Sequence, residues 1–192
     1  MRVLLLCFAL LSLVACHTLP AVRTAPWDER RAALQAIEKY EVSGQIAAST
    51  PTEGFSAALR WQQQGAVSDL LLRAPLGVGG AHLNYDGDVL RVTNNQGAQL
   101  EGATARAELV RVLGFEPPLT SLRYWLLGTP DPGSAATETL DSEQRLSQLQ
   151  QGEWRVSYNE YQQLAGHWLP HHLELERGAL KLKLQLSHWQ LP

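Results

Sequence analysis

Long hydrophobic runs, cysteines and lysines are all scarce in this chain, and each shortage excludes a class of function. The longest apolar run, Val3 to Leu11, falls well short of the roughly 20 residues that a membrane-spanning helix needs. The two cysteines, Cys7 and Cys16, both lie in the amino-terminal segment. The body of the chain therefore has no thiol nucleophile and no disulfide, and must be held by packing alone. The only lysines are Lys39, Lys181 and Lys183, and none sits in a Gly-rich phosphate loop, so nothing points to nucleotide energy. A Gly-x-Ser-x-Gly elbow and a His-Glu-x-x-His helix are likewise missing. His171-His172 with Glu174 is too small a set for zinc, and on a strand His172, Glu174 and Glu176 share a solvated face opposite Leu173 and Leu175. We expect no metal and no nucleic-acid partner, since the 16 basic residues are outnumbered by 19 acidic ones.

What is present begins at the amino terminus. Arg2, the apolar run and the small-residue exit Leu13-Val14-Ala15 make a secretory signal, and Cys16 follows directly. Leu-x-Ala-Cys resembles the lipobox of bacterial lipoproteins, which implies cleavage after residue 15 and acylation of Cys16. Loss of residues 1–15 removes Arg2 alone from the charge count and leaves 15 basic against 19 acidic residues, a net charge of −4. Membrane contact should therefore be hydrophobic rather than electrostatic. Residues 16–26, with Pro20 and Pro26, read as a lipidated tether, and residues 27–192 as a single domain. His17, rather than Asp, behind the cysteine suggests delivery to the outer membrane, facing the periplasm.

The domain opens with a helix over Trp27 to Lys39, whose Asp28 and Glu29 suit the positive end of the helix dipole. Strand patterns then dominate. Glu41 to Ala48 is interrupted at Gly44, and Phe55, Ala57, Leu59, Trp61 and Gln63 alternate with polar partners. Val67 to Arg73, Ala81 to Tyr85, Val89 to Thr93 and Ala98 to Gly102 follow, with Asp86-Gly87-Asp88 a tight turn. Thr104 is placed to cap a helix over Ala105 to Leu113. A second helix, Leu119 to Leu127, is apolar nearly all round and so should be buried against a sheet. After a loop over Gly128 to Ala136 come strands at Leu146 to Gln150, Trp154 to Tyr158, His172 to Glu176 and Leu180 to Leu186. About ten or eleven strands and a few helices suggest a mainly β fold, one antiparallel sheet curling round a hydrophobic interior.

Between the strands ending at Arg73 and beginning at Ala81 lies Pro75-Leu76-Gly77-Val78, two apolar residues among loop formers. It is either a plug folded onto the core or an exposed apolar finger that touches membrane or a lipidated partner. Several stretches together resemble one family. They are Trp61-Gln62-Gln63, Pro75-Leu76-Gly77, Leu122-Arg123-Tyr124-Trp125-Leu126-Leu127-Gly128, Gln151-Gly152-Glu153-Trp154-Arg155-Val156, Leu169-Pro170 and Lys181-Leu182-Lys183-Leu184. In order and spacing they resemble the LolB family, outer-membrane lipoproteins that receive other lipoproteins from the periplasmic carrier LolA.

The resemblance implies an unclosed antiparallel β-barrel with a helical lid over an apolar cavity that holds acyl chains. It makes Leu76 the tip of a transfer loop formed by Pro75, Leu76, Gly77 and Val78. Leu59, Trp61, Leu122, Trp125, Leu126 and Val156 become the cavity wall and lid. The partners it implies are LolA, lipidated cargo proteins and outer-membrane lipid, with the protein itself a monomer. It implies no cofactor beyond the lipid on Cys16 and no enzymatic activity. The rival readings are a structural or assembly lipoprotein without transfer activity, and an anchored hydrolase. The hydrolase would need a paired acid and base in a cleft, whereas Asp86 and Asp88 sit in a turn.

Overall fold

In the computed structural model the residues described are 25–75 and 80–192. Among them the chain runs α1 (Trp27–Gln35), β1 (Lys39–Ser49), β2 (Gly54–Gln64), β3 (Val67–Arg73), β4 (Gly80–Tyr85), β5 (Leu90–Asn94) and β6 (Gln99–Glu101). Then come α2 (Gly102–Leu113), α3 (Leu119–Trp125), β7 (Ala136–Leu140), β8 (Leu146–Gln151), β9 (Trp154–Leu164), β10 (His167–Arg177) and β11 (Leu180–Gln190). The strands form one sheet in the order β6-β5-β4-β3-β2-β1-β11-β10-β9-β8-β7, each pair antiparallel. The first and last strands meet in the middle, and β6 and β7 are the two free edges. The barrel is thus unclosed, and α2 and α3 occupy the chain between its two edges.

Period-two alternation sets which face is inside. Along β2, Ala57, Leu59, Trp61 and Gln63 are buried while Ala58, Arg60 and Gln62 are exposed, and β11 buries Leu180, Leu182, Leu184 and Leu186 in the same way. The inner faces of both halves and the helices' Leu109, Leu113, Leu119, Leu122, Trp125 and Leu126 form one continuous core. On the outer face Glu174 and Glu176 pair with Lys183 and Lys181 across β10 and β11, which leaves those carboxylates committed to ion pairs.

Gly44 does not break β1. It sits at a bulge against β11, where a β-carbon would come within 2.0 Å of the Gln185 carbonyl oxygen, so only glycine fits. Pro170 likewise lies within β10, at a register shift against β9, where its missing N–H is not required. That bulge is why β10 begins at His167 and β9 runs on to Leu164, both well beyond their expected limits. The first helix stops at Gln35 rather than Lys39, because Lys39 and Tyr40 already pair with β2. Thr104 is not the cap of α2. The helix begins at Gly102, Glu101 holds the N-cap, and the Thr104 hydroxyl donates back to the Glu101 carbonyl at 2.7 Å. A strand absent from the sequence reading, β7, pairs with β8 at the sheet edge.

Register also orders the two ends of the barrel. The β1–β2 and β10–β11 turns and the β3–β4 connection lie at one end, since Ser49 pairs with Gly54 and Lys181, and Arg73 with Gly80. The β2–β3 and β9–β10 turns lie at the other. That second end also holds α1, tied to the β7–β8 turn through Arg30 and the carbonyls of Glu143 and Gln144.

Candidate functional site: the apolar interior and its helices

The candidate site is the packed apolar interior between the sheet and the helices. Leu59 and Trp61 come from β2, Val156 from β9, and Leu122 and Trp125 from α3, with Leu126 as its C-cap. The structure brings all six together in one core, each no more than 5 % exposed. In this arrangement what they touch is protein. Cys16 and Leu76, Gly77 and Val78 lie outside the described residues, whereas Pro75 is exposed just beyond β3.

Two tryptophans buried in hydrocarbon must each find an acceptor for the indole N–H. Trp61 Nε1 donates to Gln63 Oε1 at 2.8 Å, and the same oxygen accepts from Ser68 Oγ at 2.8 Å. Trp125 Nε1 donates to Gln151 Oε1 at 2.8 Å, which also accepts from the backbone N–H of Asp131 at 3.0 Å. Gln151 Nε2 in turn donates to the carbonyls of Asp131 and Ser134 at 2.8 and 2.9 Å. The Trp125 ring packs on Trp154, centroids 6.0 Å apart.

The end of α3 leaves carbonyls without helical partners, and the sheet supplies donors for them. Tyr40 Oη donates to the Arg123 carbonyl at 2.7 Å, and Tyr158 Oη to the Trp125 carbonyl at 3.1 Å. Burial pushes both phenols well above their ordinary pKa, so they remain donors across the physiological range. Arg123 stacks on Tyr124 and donates to the Gly65 carbonyl at 2.6 Å. Thus α3 is fastened from both halves of the sheet, by Tyr40 on β1 and by Gln151 and Tyr158 on β8 and β9.

Sequence reasoning found the apolar residues and missed these polar ones. Gln151 stood inside a quoted stretch, and Gln63 interrupted an otherwise apolar face. A buried glutamine at an alternating inward position was the available signal. Tyr40 had no signal, since its partner is a carbonyl 83 residues away.

No group of three or more His, Cys, Asp or Glu side chains converges to hold a metal among the described residues. None of their helices is long and apolar enough to cross a membrane. What the arrangement can do chemically is shelter apolar matter.

The same fold occurs in a solved structure of a LolA superfamily protein. The structure superposes on that protein, from Nitrosomonas europaea, with a TM-score of 0.58 at 10 % identity, over 88 % of this chain and 94 % of that one. It also superposes on a DUF1329 family protein from Desulfovibrio piger at 0.55 and 8 % identity, over 86 % of this chain and 91 % of that one. At these identities the likeness is one of fold.

Sequence narrows the assignment. The family model for the outer membrane lipoprotein LolB matches residues 38–189. The outer-membrane lipoprotein LolB of Nitrosococcus oceani is 35 % identical over 99 % of this chain and 98 % of its own length. That of Pseudomonas putida is 33 % identical over 85 % of this chain and 80 % of its own. The chain belongs to the LolB family. It is therefore an outer-membrane lipoprotein of the Lol system and not an enzyme.

Proposed function

We propose that this protein accepts lipidated proteins from a LolA-like periplasmic carrier and inserts them into the outer membrane by energy-independent transfer of acyl chains. The observation that carries the reading is the single apolar interior, roofed by a helix whose attachments are few enough to release. Lifting α3 breaks the hydrogen bonds from Tyr40, Tyr158, Trp125 and Arg123. At about 1 kcal/mol net apiece these cost about 4 kcal/mol. Sheltering acyl chain returns about 0.8 kcal/mol per methylene, so about five methylenes offset them. Further methylenes must cover the faces of Leu119, Leu122 and Trp125 that α3 buries, and cargo that supplies both opens the lid. Partial shelter keeps affinity far enough below the practical ceiling for cargo to be released.

In this reading residues 1–15 are a cleaved signal, Cys16 carries the anchoring lipid, and residues 16–26 are the tether that holds the 27–192 domain, a monomer, on the periplasmic face. The tether joins the domain at the α1 end, and the β3–β4 connection with Leu76 leaves from the opposite end. The 11 residues of β1 span about 36 Å. Ten extended tether residues reach about 34 Å. At full stretch the tether would thus cover nearly the length of β1, which brings anchor and loop within reach of one bilayer.

Leu76 tests the reading. As an exposed finger its replacement should leave stability within about 0.5 kcal/mol, whereas a core plug would cost about 2–5 kcal/mol. Leu76→Glu is expected to fold, accept cargo from the carrier and fail at insertion, because a carboxylate is costly to bring to hydrocarbon. A melting curve beside an assay that scores acceptance and insertion separately decides it. Normal insertion by the Glu variant would sink the transfer-loop assignment, and absence of acceptance by the unaltered protein would favour a purely structural lipoprotein.

A further inference from the structure

The six interior side chains are closed off by protein, so an acyl chain needs a place of first contact. A hollow of about 160 Å³ opens beneath α1, at the end of the barrel where the tether joins. Trp27, Ala33 and Leu34 of α1 form one wall, Leu146 of β8 and Tyr161 of β9 the floor, and Trp168 of β10 the far side. Leu34 and Leu146 are also members of the main core, so the hollow adjoins the interior directly. None of the six interior residues lines it.

The chemistry of the walls selects the guest. Arg145 lies over the rings of Tyr161 and Trp168, 5.1 Å from each, and its charge is met by Asp141 at 2.8 Å and Glu143 at 3.2 Å. Arg30 lies over Trp27 and donates to the carbonyls of Gln144 and Glu143, while its Nε is shut away from solvent. Tyr161 Oη donates to the Leu146 carbonyl, and Trp27 Nε1 to Glu138. The rings are thus clamped from outside by arginines whose guanidinium groups are turned to Asp141, Glu143 and the turn carbonyls, while Arg30 Nε is buried without a hydrogen-bond partner. Two guanidinium groups at the rim exclude a cationic guest from the aromatic cage, and their bonds to Asp141, Glu143 and the turn carbonyls leave Arg30 Nε as their one unpartnered buried nitrogen. An alkyl chain is what remains.

We propose that the hollow under α1 is the entrance through which an acyl chain passes into the interior, its first methylenes lying against Trp27, Tyr161 and Trp168. This rests on the acyl-transfer reading above and adds its port of admission. An entrance governs the rate of loading and not its extent, which gives the experiment its form.

The full-length protein is mixed with brominated stearic acid, and quenching of tryptophan emission is followed in time. Two variants obstruct the hollow. Ala33→Phe adds a ring at a residue exposed on α1, outside the main core, and Glu29→Cys accepts a bulky thiol label after folding, with the unsubstituted protein labelled in parallel as control. We expect each obstruction to slow quenching by about tenfold. The final amplitude should not change, whereas structural damage would lower it. If the unaltered protein is quenched and both obstructed forms load at its rate, the entrance lies elsewhere and the acyl-transfer reading stands. If the unaltered protein is not quenched at all, that reading itself fails, and the entrance with it.

Discussion

Helices α1 and α3 lie over the same barrel but are fastened by different physics. α3 buries Leu119, Leu122 and Trp125, and its terminal carbonyls and indole N–H bond to buried side chains. α1 buries Leu34 alone and is tied by polar links at the rim: Arg31 and Trp27 to Glu138, Arg30 to the β7–β8 turn, and Gln35 to the Pro130 carbonyl. Rim links exchange readily with water and are screened by salt, while buried bonds are costly to leave unmade. The difference orders the motions. α1 can loosen while α3 stays seated, so the molecule can admit a chain before the roof lifts.

The largest effect expected from this contrast is at alkaline pH. Burial raises the pKa of Tyr40 and Tyr158, which hold α3, and of Tyr161 beneath α1. In the unfolded chain they titrate near 10. Below that pH both states are protonated and stability is unaffected; above it the unfolded state loses protons that the native state keeps, so stability falls as pH rises. Three such groups give a slope of about 4 kcal/mol per pH unit. A domain of ordinary stability, about 5–15 kcal/mol, would be lost within a few units. Ultraviolet titration should show three of the five tyrosines resisting ionisation until a cooperative unfolding step. Gradual ionisation of all five near pH 10 with the fold retained would contradict the buried fastening of α3.

Next in size is Gln151→Leu. One buried amide serves Trp125 Nε1, the Asp131 N–H and the carbonyls of Asp131 and Ser134. This shorter apolar replacement leaves the Trp125 and Asp131 N–H groups unpaired in the core, and the expected loss is about 3–5 kcal/mol. Denaturant unfolding measures it. A loss below about 1 kcal/mol would mean that water reaches these groups, and that α3 is no better sealed than α1.

The same contrast explains how much could be read from the sequence. Strands at β2, β3 and β11 were plain, because one buried face writes a period of two and Leu180 to Leu186 has no exception. The six interior residues came together because apolar residues on such faces have nowhere else to go. What stayed hidden were features whose cause lies far along the chain. β7, with Thr137 and Thr139 among half-buried neighbours, is a strand only because β8 pairs with it. Pro170 fits within β10 only because a register shift against β9 makes room for it. The hollow under α1 draws Trp27, Tyr161 and Trp168 from distant segments, and no local pattern links them.

The smallest effect is expected at Glu138, and it separates the helices most directly. Its carboxylate accepts from Trp27 Nε1 and pairs with Arg31 at 2.8 Å, with the side chains 17 % and 34 % exposed. A partly exposed pair contributes at most about 1 kcal/mol, so Glu138→Ala should barely move the melting temperature. Locally the outcome should differ. Backbone amides of 27–35 should exchange faster with deuterium, those of 119–127 should not, and loading of the brominated probe should quicken. Salt at about 1 M, which screens charges more than about 3 Å apart, should weaken this contact pair only in part and so shift the unaltered protein toward the variant without reaching it. If both helices exchange faster together, α1 and α3 move as one unit, and admission of a chain cannot precede the lifting of the roof.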